Sequence, residues 1–289
     1  STLMRSSAAS DVYKRQPSTA SVRQINAEYS PNEAKRTKCT ASPVILGGSF
    51  QIDRVIAQTS GAINEMDFQI KEKTKAGANY FHNLVINGTS AASGTGYVPN
   101  TFDGLKKILT GKSTEMTTDI DISTSTLLDS NYNALLDELD TFIALLAAKP
   151  DVLMMNSKML TKVKSAARRA GYYDRNKDDF GRTVETYNGI ILMDAGQYYN
   201  GSTTEDVVST STPGSDTYGT TDIYAAKLGL DAFHGISVDG SKMLKTYLPD
   251  LQAPGAVKTG EVELIAGAVL KNSKMAGVLK GIKLLGKTA

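Results

Sequence analysis

The chain has 289 residues, 40% hydrophobic and 21% charged, enough for one large domain or two lobes with a real core. Its 32 basic and 30 acidic residues leave a net charge of +2, which argues against a dedicated nucleic-acid binder. A single cysteine, Cys39, excludes an intrachain disulfide, and no apolar run approaches the ~18 residues that span a bilayer.

In chain order, residues 17–43 are polar and hold no period of 2 or 3.6, so they read as a loop or extended arm with little core of its own. Val44–Leu46, Gly47–Gly48, Phe50 and Ile52 predict a short strand with a glycine break. Ile63–Asn87 gives the strongest helical signal. Ile63, Met66, Ile70, Thr74, Gly77, Phe81 and Leu84 recur at steps of three and four, and Gly88 follows as a C-cap. Such a helix is roughly 37 Å long, a backbone on which other parts hang. Thr89–Pro99 reads as a Gly/Ser/Ala loop, Phe102–Leu109 as a short helix and Asp119–Ile122 as a strand.

Tyr132–Ala148 predicts a second amphipathic helix that buries Leu135, Leu136, Leu139, Phe142, Ile143 and Leu146, and Lys149–Pro150 stops it. Val152–Met155 is an apolar strand of the buried kind, and Lys158–Ala170 a third helix ended by Gly171. Thr183–Tyr187 and Ile190–Met193 flank Asn188–Gly189, the best hairpin turn in the chain. Residues 200–221 are rich in Ser, Thr, Gly and Asp and predict a loop too polar to pack. Ile223–Leu230, Met243–Leu248, Val262–Leu270 and Val278–Leu284 then read as strands. The pattern is α+β.

The search for chemistry finds fragments only. Gly111–Lys112–Ser113 is the end of a phosphate loop, and Ile190–Asp194 looks like the apolar strand plus Asp that holds magnesium. The loop needs a glycine where Lys106 stands, and a strand where Phe102–Leu109 looks helical. His82 and His234 lack a ligand partner three or four residues away. Asp178–Asp179 and Asp137–Glu138 read as solvated carboxylate pairs, and Cys39 as an incidental thiol. No catalytic, cofactor-binding or metal-ligating residue is assigned, and no enzyme activity or cofactor is expected. A nucleotide-hydrolysing enzyme is a remote alternative.

Several stretches carry a resemblance instead: PVILGGSFQIDRVIAQ (43–58), NYFHNLVINGTS (79–90), FDGLKKI (102–108), LMMNSKMLTKVKSAARRAGYY (153–173), FGRTVETYNGIILMD (180–194), IYAAKLGLDAFHG (223–235) and YLPDLQAPGAVKTGEVELIAGAVLK (247–271). In this order and spacing they resemble the major capsid proteins of tailed bacteriophages, the fold named after phage Hong Kong 97. The resemblance implies a partial extended loop at 17–50 and a peripheral domain at 51–126 with a spine helix at 63–87. An axial domain at 127–240 and peripheral return strands at 241–289 would follow. It implies a structural head-shell subunit of a tailed phage or prophage. Copies self-assemble into hexamers and pentamers of an icosahedral shell that encloses DNA without sequence-specific binding. The implied location is the virion capsid, assembled in the bacterial host cytoplasm, with no membrane. Scaffolding, portal and head-maturation proteins are the implied partners. An encapsulin-type nanocompartment shell is the alternative within the same fold. Some members crosslink a loop lysine to a neighbouring asparagine; Lys35 and Lys38 lie in the arm, but no matching motif surrounds them, and they read as solvated surface lysines.

Residues 6–16, SSAASDVYKRQ, back-translate without strain into a sequence that resembles a transposase-based sequencing adapter. The expectation is therefore that residues 1–16 are a non-native tail on an N-terminally truncated chain, and that they lie unpacked.

Overall fold

A computed structural model of the protein describes residues 10–16, 20–29, 35–41, 43–59, 65–90, 101–171, 174–177, 183–238 and 244–288. The first two strands, β1 (Ser10–Gln16) and β2 (Lys35–Ala41), pair antiparallel with Val12 opposite Cys39. Residues 10–16 of the expected unpacked tail are thus ladder-paired along the backbone, and residues 1–9 lie outside the described residues. An extended segment carries a row of N–H and C=O groups, and the arm strand satisfies them. The arm, expected as a loop or extended arm, is a strand over Lys35–Ala41.

β3 (Val44–Asp53) runs ten residues without a break, against the expected short strand. Gly47 is the reason. Its φ is +154°, and a Cβ there would sit 1.9 Å from the Val262 carbonyl oxygen, so glycine lets the neighbouring strand approach and keeps the ladder intact. A short helix α1 (Arg54–Thr59) follows, then α2 (Glu65–Asn87). The start of the predicted long helix, 63–64, lies outside the described residues. So does most of the predicted loop at 89–99. The α2 stripe of Met66, Ile70, Thr74, Gly77 and Phe81 is only half-buried, and full burial is confined to Asn83, Leu84 and Ile86 near its C-terminal end. Helix α3 (Leu105–Leu109) and the short strand β4 (Glu115–Thr117) come next. Asp119–Ile122 is not a strand, contrary to the sequence reading. It is an irregular segment that follows β4, held by Thr118 N–H to Lys280 O (2.8 Å) and Ile122 N–H to Lys283 O (3.0 Å).

Helix α4 (Ser125–Ala144) starts seven residues before the predicted Tyr132, because Thr124 caps it by accepting from Leu127 N–H at 3.2 Å. It also stops short of Ala148, while Leu146 beyond it stays buried. Strand β5 (Val152–Met155) is where the sequence puts it, and helix α5 (Ser157–Ala170) closes on Gly171 at φ +77°. Strand β6 (Asp174–Lys177) pairs with β7 (Thr183–Tyr187), which turns through Asn188 (φ 50°) and Gly189 (φ 70°) into β8 (Ile190–Asp194). The turn is of the primed type that Asn-Gly favours. A small hairpin, β9 (Gln197–Tyr199) with β10 (Thr204–Asp206), leads to β11 (Gly219–Ala226) and β12 (Phe233–Ser237). Last come β13 (Leu244–Tyr247), the fourteen-residue β14 (Val257–Leu270), a 3-10 turn at Ser273–Met275 and β15 (Ala276–Leu285).

Two sheets organise the molecule. One has seven strands in the order β4-β15-β11-β5-β8-β7-β6; the other sets β12 and β13 on one side of β14 and β3 on the other. The central strands of the first sheet are buried on both faces. Leu153, Met155, Ile223, Ala225 and Leu279 join a core with α4 and α5, while Val152, Met154, Tyr224, Ala226 and Val278 join a second core with α2, α3, β3 and β14. Each large apolar side chain so buried contributes about 1.5–3 kcal/mol. β15 belongs to the same sheet as β11 and β5.

Most of the 200–221 stretch is exposed, as its polarity suggests, but part of it packs. Val207 and Val208 are 1% and 3% exposed. Asn156, fully buried, makes this possible. Its amide nitrogen donates to Val208 O (3.1 Å), Thr210 Oγ1 (3.0 Å) and Thr221 Oγ1 (2.9 Å), and its oxygen accepts from Met159 N–H (2.8 Å) at the start of α5. One side chain therefore supplies bonds that a polar loop needs before its valines can leave water. Asn156→Ala leaves these groups unsatisfied and uncaps α5. The expected cost is about 3 kcal/mol, read as a drop in denaturation midpoint by urea, with no change in m-value.

Candidate functional site

The nucleotide-site fragments do not converge. Lys112 follows helix α3 where a phosphate loop precedes one, and the Gly111 N–H is already taken by the Glu115 carboxylate. Asp194 ends β8, four strand spacings from β4 in sheet order, or roughly 19 Å at ~4.8 Å per spacing. Its carboxylate accepts from Gly196 N–H (2.9 Å) to make a local turn. His82 is exposed on α2, and His234 lies on β12. Asp137 and Glu138 sit next to each other on α4, the first exposed and the second half-buried. Asp178–Asp179 fall outside the described residues. Among the described residues no group of three His, Cys, Asp or Glu side chains could hold a metal, and no helix is long and apolar enough to cross a membrane. Cys39, Lys35 and Lys38 lie on β2, with Lys35 opposite Gln16 and Lys38 opposite Tyr13.

One charged cluster sits against the central sheet. Lys280 on β15 is ion-paired with Glu115, and this bond, with that from the Gly111 N–H, holds the Glu115 carboxyl below its usual range. Among the described residues, Asp222 on β11 accepts from the Gly281 N–H alone, at a long 3.3 Å. Burial pushes its carboxyl up, against the opposing pull of that N–H and of Lys280 and Lys106.

The surfaces that stand out are apolar and exposed. In the arm, residues 24–27 form a turn in which Ala27 N–H donates to Gln24 O (3.1 Å) and Asn26 takes φ 67°. Arg23 clamps it, donating to Ala27 O (3.2 Å) and lying 5.6 Å over the Tyr29 ring. The turn thrusts Val22 and Ile25 into solvent at 101% and 91% exposure. A second apolar tip lies at one end of the β3–β14 ladder, where Val55, Ile56, Tyr247, Leu248 and Val257 are all exposed. It is held rigid from below. Arg54 N–H donates to Ala256 O (2.9 Å), and the buried Lys258 ammonium donates to Ala253 O and Pro254 O. Sequence reasoning missed this tip, because its residues come from three separated segments. Only the Lys258 position in an otherwise strand-like run hinted at an internal polar clamp.

The sequence profile of a family described as SU10 major capsid protein matches residues 40–191, just over half of the chain. No curated protein matches the sequence. Among solved structures, the holo-SrpI encapsulin complex from Synechococcus elongatus PCC 7942 is similar at a TM-score of 0.65 and 12% identity, covering 98% of this chain and 85% of that one. The capsid of the native GTA particle is similar at 0.57 and 12%, covering 95% and 85%. The capsid of Myoviridae Phage XM1 is similar at 0.54 and 12%, covering 95% and 86%. At this identity the likeness is one of fold: the α+β arrangement above is that of Hong Kong 97-type capsid proteins.

The Asp222 site gives a pH expectation. Its folded-state carboxyl titrates above its unfolded value, so its contribution is most favourable below the ordinary carboxylate range and is lost as pH rises through the raised value. Asp222→Asn should therefore melt higher than the parent at pH 7, with the gap closing near pH 4 in calorimetry. A variant that melts lower at both pH values would remove Asp222 as a buried, under-bonded charge.

Proposed function

Because the chain belongs to the SU10 major capsid protein family, we propose that its exposed arm turn and its apolar sheet tip are the contacts that join copies into hexamers and pentamers of an icosahedral shell. The protein is a structural subunit of a phage head shell, it assembles with copies of itself, and its place is the virion capsid. The observation that carries the proposed contact is the arm turn. Val22 and Ile25 project from a loop fixed by its own hydrogen bond and cation–π contact. A preformed knob loses little entropy on docking, and two apolar side chains fully exposed in one copy gain only when a neighbour covers them.

The domain roles follow the same proposal. α2 acts as the spine helix of the peripheral part, residues 127–240 form the axial part, and 17–50 supply the loop that lies over an adjacent subunit. A ring needs two different matching patches on each copy, and the arm turn and sheet tip are two such patches. The shell encloses DNA without reading its sequence and assembles in the host cytoplasm. Scaffolding, portal and head-maturation proteins are its partners. The work is mechanical and geometric, with no catalysis by this chain. The encapsulin likeness, at a TM-score of 0.65, favours a second reading as a nanocompartment shell. Particle contents separate the two, since the phage reading expects DNA and the nanocompartment reading expects protein cargo.

Purified protein should associate with rising concentration in sedimentation, and show rings or shells by electron microscopy. Val22→Asp with Ile25→Asp should weaken association at least tenfold, given about 1.5–3 kcal/mol for each apolar side chain no longer buried. The melting temperature of the isolated subunit should stay within about 2 °C, since neither side chain packs in it. Unchanged association of the double variant would show that the arm turn is not a contact.

A further inference from the structure

We propose that the lysines around the Lys271–Ala276 connection form a docking surface for the phosphate backbone of duplex DNA, a deeper statement of the shell reading on which its choice of occupant rests. Four distant parts of the chain meet there. The carbonyls of Ser273, Lys274 and Met275 accept, in turn, from Thr114 Oγ1 (3.2 Å), Ala147 N–H (2.9 Å) and Lys227 N–H (2.8 Å). Lys271 N–H donates to Ala232 O (3.1 Å), and Val278 N–H to Thr114 O (3.1 Å). Every one of these segments brings a lysine: Lys112, Lys149, Lys227, Lys271 and Lys274. Lys112, Lys149 and Lys274 are exposed, and Lys227 and Lys271 half-exposed.

Three acids stand near them. Asp151 is paired with Lys227 at 2.7 Å, Asp231 is exposed on the loop after β11, and Glu115, which accepts from the Gly111 N–H beside Lys112, is cancelled by its ion pair with Lys280. Among the described residues the other four lysines have no ion pair. The rim thus carries a local charge of +3 on a chain whose total is +2, so the rest of the molecule sums to −1. A field this concentrated orients a polyanion to one end of the subunit.

The chemistry suits a phosphate backbone and not a nucleotide pocket. The Gly111 N–H is occupied by Glu115, so the phosphate-loop fragment offers no free donor there, and the charge is offered by flexible ammonium groups as points. Lysines used this way fix position on the backbone and leave the bases unread. The carbonyl anchors fix the base of the rim, so the contact orders lysine side chains and not the backbone beneath them.

Binding of a fluorescent 30-base-pair duplex to the 289-residue chain, followed by anisotropy from 50 to 200 mM salt, tests this. The parent should bind two unrelated sequences alike, with affinity falling steeply in salt. The variant K112Q/K149Q/K271Q/K274Q should bind at least tenfold more weakly, with its salt slope reduced by about three to four. K112Q/K149Q alone should lose about half of that slope. The charge-matched K71Q/K75Q/K158Q/K162Q should stay within about threefold of the parent. L228S/L230S, which removes the exposed leucines flanking the rim, should bind DNA like the parent. Absent binding at 50 mM salt, equal loss in the charge-matched variant, or loss on L228S/L230S would each overturn the proposal, the last by marking a surface for a protein. Electron microscopy of the same samples reads assembly separately, so a failed shell and a failed DNA surface give different results.

Discussion

The structure depends on one constraint: the middle of a single sheet is dry on both sides. β5 has four residues, all buried, and they alternate between two cores. β11 and β15 repeat the alternation next to it. A strand in that position has no face left for solvent, so everything polar has to sit at its ends or be bonded inside. The charged groups of this region are bonded inside in that way: Lys280, mid-way along β15, pairs with Glu115 on β4, and Asp222, at an irregularity in the β11–β15 pairing, accepts from the Gly281 N–H. The same constraint is why the surfaces offered to other molecules lie on the arm, on the sheet tip and at the connection before β15, away from the middle.

Where the chain does bring polar groups inward, it does so through a few side chains that each bond several partners. Asn156 serves a helix cap and three points of a long loop at once. Lys258 does similar work for the loop before β14, with backbone carbonyls in place of a carboxylate. Both residues bind loops to strands, and at Lys258 the loop so held borders the exposed apolar tip.

Elements with a strong local cause could be read from the sequence. Val152–Met155 is apolar at every position, α5 begins at an asparagine cap and ends at a glycine, and Asn188–Gly189 can hardly be anything but a hairpin. The capsid fold was legible as well, though through resemblance and not through periodicity. What stayed hidden depends on partners far along the chain. The valines at 207–208 look loop-like until Asn156, some fifty residues earlier, bonds the backbone beside them. Gly47 looks like a break until Val262 is set against it. α4 hides its first turns because Ser125–Asn131 is polar apart from Leu127 and Leu128, too few apolar positions to set a helical period, and only the Thr124 cap marks its start. The lysine rim has no sequence signature at all, since its members span residues 112 to 274 and the net charge gives no hint of where they meet.

Gly47 has one more consequence. By letting β14 close in, it keeps ten consecutive residue pairs between β3 and β14 in register, from Val44 opposite Ala266 to Asp53 opposite Val257. A pull on Val44 directed along β3 loads these ladder bonds together in shear, so they do not open one at a time. Mechanically, the two strands form a splice, left uninterrupted at Gly47 against Val262 and at Gly260 against Phe50 because neither glycine has a side chain.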